Sequence, residues 1–362
     1  MTPMTQALDA LIAAIHRAPR SGVFAVTGGG SGLLSDLLCV GGASATVLEA
    51  NVPYAPQSLR DWLGSEPAQA CSVETARSMA VRAFMRAAEL GGDFGFAATA
   101  SLATTRPKRG ALRAHLAFQD AVSTRTWRLA FEGSATDRRE QERALAAVAV
   151  EALGHALHVG DAPSVPGTRA QGDTALAELM LGKRERVGDL FAAVLPGAFN
   201  PIHDGHRLMR ADAERRLGRG VGYELSIGNV DKPPLDYHEL NTRLEQFDAV
   251  EVVLTNAPTF VDKARVLGGV VFVVGTDTMR RVAEPRYYGG VEVRDAAIDE
   301  LAALGCRFLV YGRLDAGVFR TLADLTLPPA LAAISSGVPE AEFRNDTSST
   351  ALRCRPTRGH RA

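Results

Sequence analysis

The chain has 362 residues, a length typical of two or three globular domains. Hydrophobic residues make up 46% and charged residues 22%, as in ordinary globular proteins and unlike disordered, collagen-like or disulfide-scaffold chains. The 40 Lys and Arg residues nearly balance the 41 Asp and Glu residues, and the formal charge of −1 excludes the basic excess of a nucleic-acid coat or an anionic-membrane binder. We therefore expect small-molecule partners, no nucleic acid and no membrane.

The cysteines and the N-terminal segment indicate the compartment. The four cysteines are scattered, without a C-x-x-C pair or a histidine at metal-ligand spacing, so a reducing environment is expected and a zinc site is not. The apolar stretch 7–15 is broken by Asp9 and lacks a basic leader, and no run reaches the roughly 18 apolar residues of a membrane span. We expect a cytoplasmic protein that holds no metal through its own side chains.

Short apolar runs alternate with alanine-rich stretches up to about residue 159. Their spacing predicts, in chain order, a strand at 23–26, helices at 33–38 and 72–90, strands at 94–99, 112–118 and 126–131, and an amphipathic helix at 137–158. These elements make a complete α/β domain, which we place at residues 1–160.

Residues 161–187 are predicted to be a linker, because P-S-V-P-G is typical of a connection, and helical spacing at 173–183 predicts a bridging helix within it. A second α/β domain is expected at 188–362. Its pattern predicts strands at 192–195, 223–227, 250–254, 270–274 and 307–311, and helices at 205–217, 238–247, 260–267, from 278 and after 350. Strands that alternate with helices imply a parallel sheet.

The strongest motif, G-A-F-N-P-I-H-D-G-H at 197–206, follows the first strand of the second domain. His203 and His206 are three residues apart at the start of the predicted helix, so both imidazoles can point toward an anion at its N-terminus. Gly197 would let the loop approach a ligand, and Gly205 would relieve crowding at the helix start. The competing interpretations are an ordinary helix cap and a zinc site.

This segment resembles the G-x-F-x-P-x-H-x-G-H signature of the nucleotidylyltransferase superfamily, and within it of the nicotinamide or nicotinate mononucleotide adenylyltransferases. The resemblance implies a Rossmann-like parallel sheet, ATP as a substrate and Mg²⁺ that accompanies it. It makes His203 and His206 catalytic residues that donate hydrogen bonds to phosphate oxygens. The nucleotide-binding residues that it implies here are Gly197, Phe199, Asn200 and Gly205.

A second motif, T-S-S-T-A-L-R at 347–353, is similar to the S-S-T-x-I-R motif of the same superfamily. Ser348, Ser349 and Thr350 are residues of the N-cap type whose hydroxyls and amides can bind phosphate oxygens. Arg353, one turn later, can form a bidentate clamp on phosphate and is expected to be catalytic. Taken alone, such a cluster is more often an ordinary helix cap.

Two weaker segments lie between these motifs. V-V-G-T-D-T at 273–278 resembles the family's G-x-D element, in which Gly275 would allow close approach and Asp277 would contact the adenosine; an Asp N-cap is the alternative. The segment 231–243 resembles the acceptor-side loop and helix, which implies Lys232 and Arg243 as substrate-binding residues; solvated surface charge is the alternative.

Both tryptophans lie in the first domain, so the tryptophan that stacks on the pyridine ring in many of these enzymes is absent from the second. An aromatic residue of the second domain could stack instead. The candidates are Tyr237, Phe260, Tyr287 and Tyr288.

The first domain carries A-V-T-G-G-G-S-G-L-L at 25–34, which resembles the A-E-S-x-T-G-G segment of the CinA C-terminal domain, a nicotinamide mononucleotide deamidase. The family's serine nucleophile falls on Thr27, or on Ser31 if the loop is shifted; Tyr54 is retained, and Ser58 replaces the lysine. A hydroxyl without an adjacent base or cation is a poor nucleophile. We expect a ligand-binding or oligomerising remnant with Thr27, Ser31 and Tyr54 at its site and an anion-binding glycine turn, with a working deamidase as the alternative.

The expected function is adenylyl transfer from ATP to nicotinamide or nicotinate mononucleotide, which gives a pyridine dinucleotide and pyrophosphate. One alternative is a cytidylyl- or other nucleotidyltransferase with a different phosphorylated acceptor. Another is a non-catalytic pyridine-nucleotide sensor. We expect a homo-oligomer.

Overall fold

The structure is a computed structural model that describes residues 3–105, 110–131, 137–228, 234–248 and 251–347. The chain forms two compact units, each of two segments: unit 1 is Met1–Leu181 with Asp231–Asn241, and unit 2 is Gly182–Val230 with Thr242–Ala362. Unit 1 therefore extends beyond residue 160 and takes up a segment from within 188–362.

Unit 1 is a six-stranded sheet with helices on both faces. Its described helices are α1 (Pro3–Arg17), α2 (Ser31–Cys39), α3 (Pro56–Leu63), α4 (Val73–Glu89), α5 (Arg138–Ala156) and α6 (Thr174–Met180). Its described strands are β1 (Gly22–Thr27), β2 (Val47–Asn51), β3 (Phe94–Ser101), β4 (Arg113–Asp120), β5 (Ser123–Ala130) and β6 (Gly167–Gln171). The strand order is β2-β1-β3-β4-β5-β6. Strand β1 runs parallel to β2 and β3, and β3 to β6 are antiparallel.

Alternation along the strands sends large side chains to one face of this sheet and small ones to the other. Phe94 and Phe96 on β3 join the core cluster of α1, α2 and α5, whereas Ala97 joins that of α4. At Gly95 an added Cβ would lie 2.2 Å from the backbone oxygen of Ala80 on α4. Only glycine allows the helix to approach the strand this closely.

Strand β6 lies within the segment predicted to be a linker. It pairs with β5 from Ser123↔Gln171 to Trp127↔Gly167. Its sequence, G-T-R-A-Q, lacks an apolar alternation because the strand is at the edge of the sheet and mostly exposed, so its pattern does not predict a strand.

Unit 2 contains a seven-stranded sheet with helices between its strands and a separate two-stranded antiparallel sheet of Arg313–Asp315 and Val318–Arg320. Its described strands are β7 (Arg186–Val187), β8 (Ala193–Pro196), β9 (Val221–Ser226), β10 (Val252–Thr255), β11 (Val271–Gly275), β12 (Arg307–Tyr311), β13 (Arg313–Asp315), β14 (Val318–Arg320) and β15 (Ser335–Gly337). The described helices are α7 (Asp204–Leu217), α8 (Tyr237–Leu244), α9 (Phe260–Leu267), α10 (Thr276–Ala283), α11 (Val291–Ala303) and α12 (Pro329–Ala333). Helix α8 begins in the segment of unit 1 and ends in unit 2.

The strand order in unit 2 is β15-β12-β11-β8-β9-β10-β7, and all neighbours are parallel except β7 and β10. From β8 the chain moves outward through β9 and β10, then returns to the other side of β8 and moves outward through β11, β12 and β15. This is the doubly wound, Rossmann-like order, and the predicted fold class is confirmed. Ligands of such sheets bind beyond the carboxyl ends of the two strands where the order reverses, here β8 and β11.

The predicted strands and helices that fall within the described residues are present. The structure adds elements that the sequence analysis did not predict, which are α1, β2, α3, β6, β7, α11, β13, β14, α12 and β15. The helix predicted after Thr350 lies outside the described residues. Across the described part of the chain, no helix has the length and apolar character needed to cross a membrane.

Candidate active site

The loop from β8 to α7 carries the first motif. The backbone N–H of Gly197 donates to the carbonyl oxygen of Glu224 on β9 at 3.0 Å, which holds the loop to the sheet. A Cβ at Gly197 would lie 2.7 Å from the ring of Phe199. Glycine is needed here because that ring folds back over it, and the approach of a ligand to Gly197 stays a prediction.

Phe199 packs against the second histidine of the motif. Its backbone has φ 44°, in the left-handed region, and its side chain is 1% exposed. The ring meets His206 edge to face at 5.2 Å between centroids and also packs on Tyr223 and Phe247. These contacts bury the ring and fix the position of His206. A contact between Phe199 and a nucleotide stays a prediction.

The two imidazoles are stacked, with centroids 3.8 Å apart and planes 26° from parallel. The backbone N–H of His203 donates to Nδ1 of His206 at 3.3 Å, so neutral His206 carries its proton on Nε2. His203 is 8% exposed, and its buried Nδ1 has no hydrogen-bond partner among the described residues. One ring thus offers an N–H donor, and the other offers an unsatisfied nitrogen.

Both imidazoles are neutral at pH 7. Burial, then the charges of His203, Arg313 and Arg207, lower the pKa of His206 from 6.5 to about 3. Burial and Arg313 also lower the pKa of His203, although Asp204 opposes them. The pair therefore meets a ligand as hydrogen-bonding groups rather than as cations.

The helix-cap interpretation of the histidine pair describes part of this arrangement. His203 is the N-cap of α7 and His206 its third residue, and the two form a capping box in which Nδ1 of His206 accepts from the backbone N–H of His203. Among the described residues there is no group of three or more His, Cys, Asp and Glu side chains that could hold a metal ion.

Two side chains at the end of α8 and beyond it hold the histidine loop. The Gln246 amide accepts from the backbone N–H of Ile202 at 2.8 Å and donates to the carbonyl oxygen of Phe199 at 3.1 Å. The guanidinium of Arg243, expected to bind substrate, donates to the carbonyl oxygen of Ala198 at 3.1 Å. Both residues thus position the loop, and nothing in the sequence marked Gln246.

The start of α7 is crowded, as predicted for Gly205. An added Cβ there would lie 2.7 Å from Oδ1 of Asn345 and 2.9 Å from Nδ1 of His203. Oδ1 of Asn345 also accepts from the backbone N–H of Thr347 at 3.0 Å. The chain that leads into the second motif therefore passes beside the first.

The end of β11 forms the other side of the site. Gly275 is the N-cap of α10, so the alternative that made Asp277 an N-cap is wrong. A Cβ at Gly275 would lie 2.5 Å from Oδ1 of Asp277 and 2.8 Å from Nε of Arg313, whose side chains occupy the space that glycine leaves. The Asp277 side chain is 63% exposed and lies 3.9 Å from Nε of Arg313.

Arg313, just after β12, connects the parts of the site and was missed by the sequence analysis. Its Nη1 donates to the carbonyl oxygen of Thr347 at 3.5 Å, and its charge lowers the pKa of both histidines. An isolated arginine after a strand carries no distinctive signal, so only the sheet order reveals it. It is a fixed cation beside two neutral imidazoles.

Five of the predicted residues lie outside the described residues. They are Lys232, Ser348, Ser349, Thr350 and Arg353. Asn200 is in the histidine loop, where its peptide bond to Pro201 is cis.

The aromatic residues proposed to stack on a ring are mostly engaged elsewhere. Tyr237 is fully buried in unit 1, where its hydroxyl donates to the carbonyl oxygen of Ala121, so it is not a ring-stacking residue. Phe260 packs on the core ring of Phe272 at 5.1 Å. The hydroxyl of Tyr288 donates to the backbone of Val282 at 3.0 Å, and the Tyr287 ring lies under Arg286.

In unit 1 the glycine turn binds an anion that belongs to the protein itself. The Glu142 carboxylate of α5 accepts from the backbone N–H groups of Gly30 and Gly32 and from the hydroxyl of Ser31, at 2.8 to 3.0 Å. Burial opposes ionisation of Glu142, but these hydrogen bonds and the Arg138 charge outweigh it and lower its pKa. The anion-binding turn was predicted; its occupant was not.

The other remnant-site residues surround a cavity of about 180 Å³ next to this turn. Thr27 is 6% exposed, and its hydroxyl donates to the carbonyl oxygen of Pro53 at 2.8 Å. Tyr54 is 63% exposed, with its hydroxyl 3.4 Å from Nη2 of Arg138. The structure thus places Thr27, Ser31 and Tyr54 around one cavity. The hydroxyl of Thr27 is bonded to a backbone carbonyl, that of Ser31 to the Glu142 carboxylate and that of Tyr54 to the Arg138 guanidinium.

Residues 194–355 match the family described as cytidylyltransferase-like. The chain carries a nucleotidyltransferase-like domain. This domain contains the histidine pair, Gly275, Asp277 and Arg313 described above. No curated protein matches the chain.

Solved structures of CinA-type proteins are similar to part of the chain. A CinA superfamily protein from Klebsiella pneumoniae is 19% identical over 42% of this chain and 98% of its own, with a TM-score of 0.34. The competence/damage-inducible protein CihA from Agrobacterium tumefaciens is 22% identical over 44% and 97%, with a TM-score of 0.34. A competence- or damage-inducible protein from Enterobacter asburiae is 16% identical over 43% and 99%, with a TM-score of 0.37.

Proposed function

We propose that the nucleotidyltransferase-like domain transfers the adenylyl group of ATP to nicotinamide or nicotinate mononucleotide. A phosphate oxygen of the mononucleotide attacks the α-phosphorus of ATP, the bond to the β-phosphate oxygen breaks, and pyrophosphate leaves. The attacking oxygen carries no proton at neutral pH, so no general base is needed. ATP enters as its Mg²⁺ complex, and the metal offsets part of the phosphate charge.

The observation that carries this proposal is the meeting of His203, His206 and Arg313 where the strand order reverses. Nε2–H of His206 can donate to a phosphate oxygen, and the guanidinium of Arg313 supplies a positive charge. Preorganised donors of this kind stabilise charge that moves onto non-bridging and leaving oxygens, which is the main demand of phosphoryl-type transfer. The exposed Asp277 is available to accept from a ribose hydroxyl.

The test is pyrophosphate release by the full chain with Mg²⁺ATP and each mononucleotide, with the dinucleotide identified by mass. We expect His206→Ala to lower kcat/KM by about 100-fold or more, as the loss of one preorganised donor does elsewhere. His238→Ala, which removes an imidazole from the segment of unit 1, should leave the rate unchanged.

The same assay separates the alternatives. Turnover with CTP but not ATP, or only with a different phosphorylated acceptor such as a phosphopantetheine-like one, would replace the adenylyl proposal by another nucleotidyl transfer. Binding of ATP and mononucleotide without pyrophosphate, and without an effect of His206→Ala on any product, would instead indicate a sensor.

We further propose that unit 1 does not deamidate nicotinamide mononucleotide. Thr27 is bonded to a backbone carbonyl, and the partner of Ser31 is a carboxylate whose lowered pKa makes it a weak base. Incubation of the full chain with nicotinamide mononucleotide in the absence of ATP should release no ammonia. Ammonia release would overturn this part of the proposal and leave the transferase proposal untouched.

A further inference from the structure

A group of basic side chains lies next to a second hollow on unit 1, apart from the cavity at Ser31, and lines it with Arg17, Arg20 and His158. Its centre is Arg125 on β5, which is 5% exposed. Nη1 of Arg125 donates to the carbonyl oxygen of His155 at 3.2 Å, and Nη2 lies 3.4 Å from Nε2 of His158. Its Nε is buried without a hydrogen-bond partner, and within the described residues no carboxylate forms an ion pair with it.

The surroundings of Arg125 add positive charge. Arg169 on β6 stands directly opposite it in the antiparallel pair, an arrangement that destabilises a sheet when both side chains are charged and nothing lies between them. The charges of Arg169 and Arg20 lower the pKa of Arg125, after burial as the largest cause. Burial, followed by Arg125, Arg169, His155 and Arg20, also lowers the pKa of His158.

The nearby carboxylates are already engaged. Arg20 pairs with Asp93 and, at 3.4 Å, with Asp120. Asp120 also accepts from the backbone N–H of Ser123 at 2.8 Å in the turn from β4 to β5. Arg17, Arg20, Arg125 and Arg169 carry four positive charges against the two negative charges of Asp93 and Asp120. Among the described residues no carboxylate forms an ion pair with Arg17, Arg125 or Arg169.

The hollow beside these charges is a groove of about 540 Å³. Its walls combine apolar and basic residues, which are Ala14, Arg17, Ala18, Pro19, Arg20, Leu157, His158 and Val159. A volume of this size suits a mononucleotide-sized molecule. The ends of α1 and α5 lie here, and cations are favourable at helix C-termini. That effect explains the hydrogen bond from Arg125 to the carbonyl oxygen of His155. It explains neither the position of Arg169 opposite Arg125 nor the apolar residues of the groove.

We propose that this groove binds a phosphorylated small molecule of nucleotide size, with its phosphate among the arginines and its apolar or planar part on the wall of Ala14, Leu157 and Val159. A phosphate monoester carries nearly two negative charges at pH 7, which matches the excess of two positive charges. Arg125 and Arg169, which are not among the described residues that line the groove, would act on the phosphate through their charge. The site lies in unit 1 and does not depend on the proposed transferase function.

The test uses the full chain and AMP as the probe, followed by proton NMR of the C2–H of His158, which is assigned with His158→Gln. AMP should raise the pKa of His158 by about one unit, because an anion replaces part of the surrounding positive field. Arg169→Gln, at an exposed position, should lower the affinity for AMP, read from the titration of this shift, by about tenfold or more. Arg143→Gln removes an equal charge from an exposed position of α5 and should leave the AMP affinity unchanged.

Two further probes define the ligand. Inorganic phosphate and adenosine should each shift His158 more weakly than AMP, because each uses only half of the groove. Equal effects of inorganic phosphate and AMP would overturn the role of the apolar wall. An AMP titration that leaves the pKa of His158 unchanged, or that gives the same affinity in Arg169→Gln, would overturn the site. Self-association that changes in Arg169→Gln, with no binding of AMP, would also overturn it.

Discussion

At the scale of the residue, His206 owes its chemistry to its surroundings. Burial on the Phe199 ring and the nearby charge of Arg313 disfavour the imidazolium, and the backbone N–H of His203 takes up Nδ1. The remaining N–H, on Nε2, is the only donor of the ring. A histidine of the same sequence spacing on an exposed helix would instead titrate near pH 6.5 and act as a cation for part of the physiological range.

The pKa of His206 has a consequence for stability. Unfolded His206 takes up a proton near pH 6.5, whereas folded His206 does so only near pH 3. Between these values the unfolded state binds the additional proton, so the free energy of unfolding falls as the pH falls. In His206→Asn this contribution is absent. As the pH falls, the free energy of unfolding of the wild type should therefore decline more steeply than that of the variant, by up to about 1.4 kcal/mol per pH unit. Urea unfolding from pH 6.5 to pH 4 checks this; parallel curves for the two proteins would contradict it.

Gln246 is a positioning residue whose amide holds both ends of the short segment between Phe199 and Ile202. Gln246→Glu keeps the shape and the acceptor but places a carboxylate against the Phe199 carbonyl oxygen. We expect kcat for pyrophosphate release to fall by about 10- to 100-fold, with a smaller change in KM for ATP. The reason is that a displacement of the histidine loop by about 1 Å is enough to cause a loss of this size. Steady-state kinetics measure this, and Gln57→Glu on α3 is an exposed control. An effect on KM alone would assign Gln246 to substrate binding.

At the scale of the element, the site exists because two strands of unit 2 end side by side with their order reversed. The strand–loop–helix from β8 to α7 was predictable, since an apolar run, a glycine-proline loop and a helix start follow one another. Arg313 and Gln246 were not, because a lone arginine after a strand and a glutamine after a helix have no local pattern that distinguishes them from surface residues. Their roles come from long-range neighbours, which a single sequence does not show.

The start of α7 offers a test of this packing. In Gly205→Ala the helix gains propensity worth about 1 kcal/mol, but the methyl group meets Asn345 and the buried imidazole of His203. The added methyl group pushes the imidazole of His203 out of its stacked position. We therefore expect a loss of kcat of about tenfold or more with little loss of stability. Gly220→Ala, where an added Cβ meets nothing within 4 Å, is the control. Equal activity of both variants would show that the site tolerates the shift.

At the scale of the whole molecule, the chain leaves unit 1 after Leu181, returns at Asp231 and leaves again after Asn241. The returning segment is well anchored in unit 1: Asp236 pairs with Arg77 at 3.0 Å, and the backbone N–H of Tyr237 donates to Thr124 at 2.9 Å. A division of the sequence near residues 161–187 would therefore remove part of the core of unit 1.

The two tryptophans make this dependence measurable, because Trp62 on α3 and Trp127 on β5 both belong to unit 1. Tyr237→Ala removes a fully buried ring and a hydroxyl that donates to Ala121, so the free energy of unfolding reported by tryptophan fluorescence should fall by about 3 to 5 kcal/mol. Tyr287→Ala, a half-buried tyrosine of unit 2, should leave that transition within about 0.5 kcal/mol. A chain cut after residue 181 should show the same loss as Tyr237→Ala or a larger one. If either form unfolded at the wild-type urea concentration, residues 231–241 would not be part of the core of unit 1.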